Sequence, residues 1–231
     1  MTRNKIENIP ETVTREISEK IIRNELKPGE RIFEARIAEE MGISRSPVRE
    51  ALRILEKNKL VELIPRKGAR VTDISAAHIE WFYDVFEVLY GLVARKGIEN
   101  AGDEDRADLQ TALKKIEDSA SKNHVEGYFE GIFEFAAVGM RAARNPLLTQ
   151  MLLDLWPSNR RIQYASLSCR KFTLSRDVKY FREISDLMNS MNPHEAEAVV
   201  KEYARNEKAV ALEMIYGKKN TESRKNEGNS G

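Results

Sequence analysis

Two short amphipathic segments, separated by only three residues, constrain the fold of this chain most. They cover about residues 33–41 and 45–58, and in both the apolar residues recur at helical spacing. Gly42-Ile43-Ser44 separates them. Glycine ends the first helix, while Ser44 and Pro47 suit the N-cap and first turn of the second. A turn of this length between two helices is typical of helix-turn-helix units.

The flanking segments complete a small domain. Residues 11–25 are predicted to form a helix that Lys27-Pro28-Gly29 stops. Residues 60–64 alternate like a strand, a turn follows at 65–68, and residues 69–71 form a short return strand. The order is therefore helix, helix, tight turn, helix and two-stranded hairpin. We expect its core to contain Ile37, Met41, Val48, Leu52, Leu55 and Leu60.

Positive charge is concentrated in one part of this domain. The whole chain of 231 residues has a formal net charge of only +1, but residues 45–70 contain eight basic and three acidic side chains. Basic charge in a short segment is typical of a surface that binds a polyanion, although a solvated helix face gives the same pattern.

The position of these charges favours DNA as the polyanion. A helix-turn-helix unit inserts the N-terminal end of its second helix into the major groove, and that end carries Arg45 and Arg49 on one face. Arginine pairs with guanine through two hydrogen bonds, and serine hydroxyls at a helix N-terminus suit a phosphate oxygen. We therefore predict DNA contacts from these residues and from the hairpin tip, where glycine permits close approach. The predicted set is Ser44, Arg45, Ser46, Arg49, Arg66, Lys67 and Gly68.

These residues also carry a resemblance. Residues 26–31 (LKPGER) and 35–71 resemble the DNA-binding domain of GntR-family bacterial transcription regulators, with Pro47-Val48-Arg49-Glu50-Ala51-Leu52 on the family pattern. The resemblance implies a winged helix-turn-helix that binds operator DNA as a dimer. It adds Arg36 as a weaker candidate contact, whereas the preceding position, where some relatives have arginine, is Ala35.

The rest of the chain is predicted to be helical. Helices are expected at about 76–99, 103–121, 125–143, 147–168, 174–190 and 194–215, with no convincing strand between them. We therefore expect a mainly α protein: a winged helix-turn-helix domain at 1–73, an all-α bundle at 74–216 and a disordered tail at 217–231. Residues 82–101 and Asn145-Pro146 resemble the effector domain of the FadR-like branch of the family, the FCD type. This resemblance implies a bundle that binds a small effector and dimerises.

Many members of that branch bind a metal through one Asp and three His. Aligned from Asn145-Pro146, the four positions fall at or near Ile132, Ala136, Phe181 and Tyr203, none of which ligates a metal as Asp or His would. The three histidines, His78, His124 and His194, lie near predicted helix starts and are expected to be surface or capping residues. We therefore expect no metal of the family type and no other cofactor.

The same substitutions indicate the chemistry of the effector. Where relatives have Arg and Glu on the first bundle helix, this chain has Phe86 and Tyr90. A pocket lined by these residues and by Ala136, Phe181 and Tyr203 would suit an apolar, acyl or aromatic effector, such as a CoA thioester. Its polar end would be anchored by Arg160, Arg161 and Tyr164. Alternatively, the aromatic rings fill the core and leave no cavity.

Other classes of function are disfavoured. The chain has no Gly-x-Gly phosphate loop and one cysteine, Cys169, so neither a nucleotide-binding enzyme nor a disulfide-stabilised protein is expected. There is no apolar run long enough to span a membrane and no signal peptide, and a cytoplasmic location is expected. We predict a metabolite-responsive repressor that binds a palindromic operator as a homodimer. The alternatives are an effector-independent architectural DNA-binding protein and a metal-dependent sensor of small carboxylic acids.

Overall fold

The computed structural model describes residues 8–65 and 67–227, and these divide into two compact units. The first contains the described residues up to Ile74 together with Asp154–Ala165, and the second contains Ser75–Leu153 and the described residues from Ser166 onward. One helix, Pro146–Cys169, therefore contributes its central part to the first unit and its two ends to the second.

The first unit begins with three helices whose ends follow from local sequence. The first helix is preceded by Asn8, which forms a capping box with Glu11, and Gly42 ends the second helix in the left-handed conformation. The helices are α1 (Ile9–Ile22), α2 (Glu34–Met41) and α3 (Arg45–Lys57). Their boundaries lie within a few residues of the predicted ones, so the helix-turn-helix unit is present.

A small antiparallel sheet completes the first unit, with one strand more than predicted. The strands β1 (Arg31–Ile32), β2 (Val61–Ile64) and β3 (Gly68–Val71) lie in the order β1-β3-β2. The additional strand β1 has only two residues, and its pairing with β3 is non-local, so periodicity does not reveal it.

The apolar faces of these elements meet in one core. The predicted core residues Ile37, Val48, Leu52, Leu55 and Leu60 are buried, whereas Met41 is only partly buried. Residues of α1, including Val13 and Ile17, belong to the same core, so α1 packs against α3 of the helix-turn-helix unit.

The second unit consists of helices joined by short turns, with no strand among its described residues, as predicted. Helix α4 packs along the last helix, and α5 packs along α6. A Cβ at Gly131 would lie 2.9 Å from a side-chain carbon of Ile116, so glycine allows α5 and α6 to approach closely. The helices are α4 (Ala76–Asn100), α5 (Asp103–Ser121), α6 (Val125–Ala142), α7 (Pro146–Cys169), α8 (Val178–Asn189) and α9 (Pro193–Glu227).

Two boundaries in the second unit differ from expectation. The predicted helix at 174–190 is divided into a 3₁₀ turn, Lys171–Arg176, and α8, with Asp177 between them. The last helix, predicted to end near 215, continues to Glu227, within the segment expected to be a disordered tail. Residues 218–227 contain few apolar side chains, so the sequence has no amphipathic pattern there that would have predicted a helix. Residues 228–231 lie outside the described residues.

Candidate nucleic-acid interface and bundle interior

The N-terminal end of α3 presents the predicted DNA-binding residues on one exposed surface. Arg45, Ser46 and Arg49 are all exposed, while Val48 and Leu52 on the opposite side of the helix are fully buried. Ser44 occupies the N-cap position, but its side chain makes no capping hydrogen bond. Its hydroxyl and the positive end of the helix dipole are therefore both available to an anion.

The two arginines on this surface differ in their side-chain hydrogen bonds. Arg49 bonds across to α2, where its Nη2 donates to Glu34 Oε2 at 2.8 Å and its Nε donates to both carboxylate oxygens at 3.2 Å. Hydrogen bonding from Arg49, together with the charges of Arg45 and Arg53, lowers the pKa of Glu34. The Arg45 side chain makes no hydrogen bond to any described residue, so none of these residues fixes the orientation of its guanidinium.

Arg36, the weaker candidate, is engaged within its own helix. Its Nε donates to Glu40 Oε1 at 2.7 Å, one turn further along α2. Both side chains are exposed, so this pair adds little stability and a phosphate group can compete for the guanidinium.

The hairpin tip is formed by the turn between β2 and β3. The backbone N–H of Lys67 donates to the Ile64 carbonyl at 2.9 Å and closes the turn, and the Lys67 side chain is exposed. Gly68 has a φ of +84°, and a Cβ there would collide with the carbonyl oxygen of Ile32 in β1. Glycine is therefore required by the sheet itself, a reason additional to the predicted approach to DNA. Arg66 lies outside the described residues.

The predicted effector-binding aromatics occur as two contacting pairs in the second unit. The rings of Phe86 and Tyr90 on α4 lie 4.2 Å apart, and those of Phe181 on α8 and Tyr203 on α9 lie 5.2 Å apart. Ala136 on α6 is partly buried. Rings in van der Waals contact already fill space, so a ligand can enter between them only if side chains rotate.

Arg160 and Tyr164, the predicted anchors of the effector, lie elsewhere. They belong to the part of α7 that packs in the first unit, where Arg160 pairs with Glu19 of α1 at 3.1 Å and Tyr164 lies under the guanidinium of Arg23. Their role as anchors of a bundle ligand stays a prediction. Sequence position within a long helix does not reveal which of its turns contacts which unit.

The neighbouring Arg161 donates hydrogen bonds to the residue that follows strand β3. Arg161 is buried and donates from Nη1 to the Thr72 hydroxyl at 2.8 Å and from Nη2 to the Thr72 carbonyl. Burial lowers the pKa of Arg161 to about 10. The residue that follows β3 is thus held by α7.

The interior of the second unit contains a charged cluster that sequence reasoning missed. Arg170 Nη2 donates to both carboxylate oxygens of Glu207 at 2.6 Å, and Nη1 donates to Asp177. Asn206 donates to the other Asp177 oxygen at 3.0 Å. Both carboxylates are buried, so the cluster has two negative charges and one positive charge away from water.

The sequence contains a signal for one member of this cluster, Glu207. Glu207 lies three residues after Ala204 and four before Ala211, so all three share one face of α9, and all three are buried. A carboxylate on an otherwise apolar helix face indicates a buried polar partner.

Buried tyrosines surround this cluster. Burial and the negative charge of Glu207 raise the pKa of Tyr83, Tyr128 and Tyr203. The Tyr128 hydroxyl has no hydrogen-bond partner among the described residues. The interior is therefore aromatic but has a polar centre, and within the described part of the chain no three His, Cys, Asp or Glu side chains are grouped to hold a metal.

Comparison with known proteins agrees with this geometry. Residues 10–71 match the gntR family of bacterial regulatory proteins, and residues 82–206 match the FCD domain. The chain is 34% identical over 102 residues to the HTH-type transcriptional regulator YdhC of Bacillus subtilis, which covers 44% of this chain and 46% of YdhC. It is 36% identical over 101 residues to the gluconate operon transcriptional repressor of Bacillus licheniformis, which covers 44% and 40%.

A third relative is similar in both sequence and fold. The Escherichia coli regulator McbR is 27% identical over 131 residues, covering 57% of this chain and 59% of McbR. The solved structure of McbR/YncC superimposes with a TM-score of 0.80 at 19% identity, covering 90% of this chain and 99% of that one. The sequence matches thus span about half the length of these relatives, whereas the fold match spans nearly all of it. No helix in the described residues is long and apolar enough to cross a membrane. The chain belongs to the GntR family of DNA-binding bacterial transcription regulators, with a winged helix-turn-helix domain and an FCD domain.

Proposed function

We propose that this regulator is a metabolite-responsive repressor that binds a palindromic operator as a homodimer. The DNA-binding role belongs to residues 1–73, and effector binding and dimerisation belong to residues 74–216. The observation that carries the operator-binding part is the exposed N-terminal surface of α3. This surface presents two arginines and an N-cap hydroxyl that makes no capping hydrogen bond, while the opposite face of the helix is buried.

Selection of bound duplexes from a random-sequence library tests operator recognition directly. The full chain is expected to enrich two half-sites in inverted orientation, because a two-fold dimer presents two copies of α3. Enrichment of no sequence, with tight binding to every duplex, would instead favour the architectural DNA-binding alternative.

An exposed apolar stripe on α4 supports the homodimer. Trp81, Val85 and Val88 are 68%, 47% and 62% exposed and recur at i, i+4 and i+7 on one face of the helix. The acidic neighbours Asp84 and Glu87 are engaged by basic residues of α9. Apolar side chains grouped on a surface are typical of an interface, and a second copy of this chain supplies an identical stripe.

The aromatic interior of the second unit supports an apolar, acyl or aromatic effector that binds without a family-type metal. Four of the predicted lining residues are aromatic and buried or partly buried, which favours an effector with a large apolar part. The effector must bind the DNA-competent and DNA-incompetent dimers with different affinity, since otherwise it cannot regulate.

A thermal-shift panel tests the effector class. Acyl-CoA thioesters, fatty acids and aromatic carboxylates are expected to raise the melting temperature of the purified chain and to lower its affinity for the selected operator. A shift only with small hydroxy acids, and only after addition of a divalent metal, would support the metal-dependent alternative instead.

A further inference from the structure

The contact between Glu34 and Arg49 pairs two charges and also fixes the orientation of the arginine side chain. Glu34 is the first residue of α2, and Arg49 lies on the second turn of α3, so the pair spans the helix-turn-helix unit. The carboxylate meets two different nitrogens, Nε and Nη2, at 2.8–3.2 Å. Because two atoms of the planar guanidinium are held, its orientation is set as well as its position.

Because Glu34 binds one edge of the Arg49 guanidinium, only the other edge is available to a ligand. A guanidinium offers two edges with paired N–H donors, one from Nε and Nη2 and one from Nη1 and Nη2. Glu34 occupies the first. No described residue accepts a hydrogen bond from Nη1, and the Arg49 side chain is 57% exposed, so the second edge offers two parallel donors to a ligand. Two parallel donors match the O6 and N7 acceptors of guanine in the major groove.

Burial indicates that Glu34 is the fixed partner of the pair. The side chain of Glu34 is 23% exposed and that of Arg49 is 57% exposed. The Glu34 carboxylate is charged at neutral pH, and donation from Arg49, with Arg45 and Arg53 nearby, lowers its pKa further. A long, mobile arginine is thereby oriented before DNA arrives, which reduces the conformational entropy lost on binding.

We propose that Glu34 is a positioning residue that makes Arg49 selective for guanine. The inference rests on the proposed insertion of α3 into the major groove. A carboxylate close to DNA repels phosphate. Glu34 is therefore expected to increase discrimination between bases and not the overall affinity for DNA.

The test compares Glu34→Gln with Glu40→Gln in the full chain. Both substitutions are isosteric and remove one carboxylate of α2 that pairs with an arginine, but Glu40 pairs with Arg36 of its own helix and makes no hydrogen bond or ion pair with a described residue of α3. Affinity is measured for the duplex selected by the wild-type chain and for a scrambled duplex of the same composition. Glu34→Gln is expected to lower the ratio of the two affinities about tenfold, within the range of one bidentate base contact. Glu40→Gln is expected to leave the ratio within about twofold.

A second readout separates positioning from a structural role. Library selection with Glu34→Gln and with Arg49→Ala is expected to lose preference at the same base pair of each half-site and to retain it elsewhere. In Glu34→Gln/Arg49→Ala, the ratio should fall no further than in Arg49→Ala alone. Equal gains in affinity for both duplexes with Glu34→Gln, or loss of preference at every base pair, would overturn the proposal. Failure of the wild-type chain to select any sequence would overturn the operator function itself.

Discussion

At the scale of single residues, the surface proposed to contact DNA contains two kinds of basic side chain. Arg49 is oriented by a carboxylate of another helix, whereas Arg45 and Lys67 are exposed and have no hydrogen-bonded partner for their side chains among the described residues. Oriented donors suit base edges, whose acceptors have fixed directions, and mobile cations suit phosphates. Sequence spacing predicted which residues are exposed, but the partner of Arg49 lies 15 residues away and no periodicity links the two.

The first prediction concerns base recognition. Arg49→Ala is expected to weaken binding to the selected operator by about 1–3 kcal/mol and to flatten base preference, because a bidentate base contact is lost. Fluorescence anisotropy with operator and scrambled duplexes measures both effects. Arg53→Ala removes the same charge from the same helix and serves as control; an equal loss in both variants would contradict the proposed docking of α3.

The second prediction concerns the hairpin tip. Lys67→Ala is expected to weaken binding to all duplexes by a similar factor and to reduce the salt slope by about one, because one phosphate contact and its released counterion are lost. Titrations at several salt concentrations measure the slope. Lys114→Ala, an exposed lysine of α5 in the second unit, should leave the slope unchanged. A change of base preference without a change of slope in Lys67→Ala would contradict a phosphate contact.

At the scale of elements, the hairpin depends on a strand that the sequence did not reveal. Periodicity predicted β2 and β3 because each has several alternating residues. Strand β1 has two residues and acquires its conformation from pairing with β3, where Arg31 lies opposite Arg70 and Ile32 opposite Ala69. Short strands are determined by the partner's hydrogen bonds rather than by their own composition.

The third prediction follows from that pairing. Gly68→Ala is expected to lower the free energy of unfolding by more than about 1 kcal/mol, because alanine is strained at positive φ and its Cβ meets the Ile32 carbonyl. Gly42→Ala is the matched control: it has a φ of +65° with no heavy atom within 4 Å of the added Cβ, so it has the backbone strain alone. Urea denaturation compares the two. Equal losses would mean that the contact with β1 contributes nothing.

At the scale of the whole molecule, the second unit combines an apolar stripe on its surface with charges in its interior. Trp81, Val85 and Val88 are exposed, whereas Arg170, Asp177 and Glu207 are enclosed. Both features reverse the usual distribution of residues. The proposed homodimer would cover the exposed stripe, and the enclosed charges are stabilised by mutual hydrogen bonds.

The fourth prediction tests the stripe as a dimer interface. The wild-type chain is expected to be a dimer in solution, and Val88→Glu is expected to be monomeric, because an unpaired carboxylate would be buried at the interface. Light scattering after size-exclusion chromatography measures both masses. Phe172→Glu changes an exposed apolar residue outside α4 and should remain dimeric. A monomeric wild type, or a dimeric Val88→Glu, would contradict the proposed interface.

The fifth prediction concerns the buried tyrosines. In the folded chain Tyr83, Tyr128 and Tyr203 keep their protons above the usual pKa of about 10, whereas the unfolded chain ionises there. The folded state therefore binds more protons at alkaline pH, so stability is complete below about pH 10 and falls as the pH rises further. Denaturation midpoints between pH 7 and 11 measure this fall, and Tyr128→Phe should reduce it. An unchanged fall in this variant would exclude Tyr128 from the effect.

The same variant has a second expected outcome at neutral pH. Tyr128→Phe should leave the free energy of unfolding unchanged or raise it by up to about 1 kcal/mol, because the buried hydroxyl has no hydrogen-bond partner in the described part of the chain. Tyr180→Phe is the control, since its hydroxyl donates to Glu202 at 3.1 Å and its loss should be destabilising. A larger loss for Tyr128→Phe than for Tyr180→Phe would show that the Tyr128 hydroxyl has a partner in solution.

The sequence by itself determined the mainly α fold class, the helix-turn-helix unit and the exposed arginines of α3. Each of these depends on periodicity, capping or turn residues within a few positions of one another, and such local terms are present in the one-dimensional pattern. Only the tertiary structure decided that Glu34 holds Arg49, that Arg160 and Tyr164 pack in the first unit, and that Arg170 joins Asp177 and Glu207. These contacts link residues that are distant in sequence or on different elements, and the chain must be folded before their distances are defined.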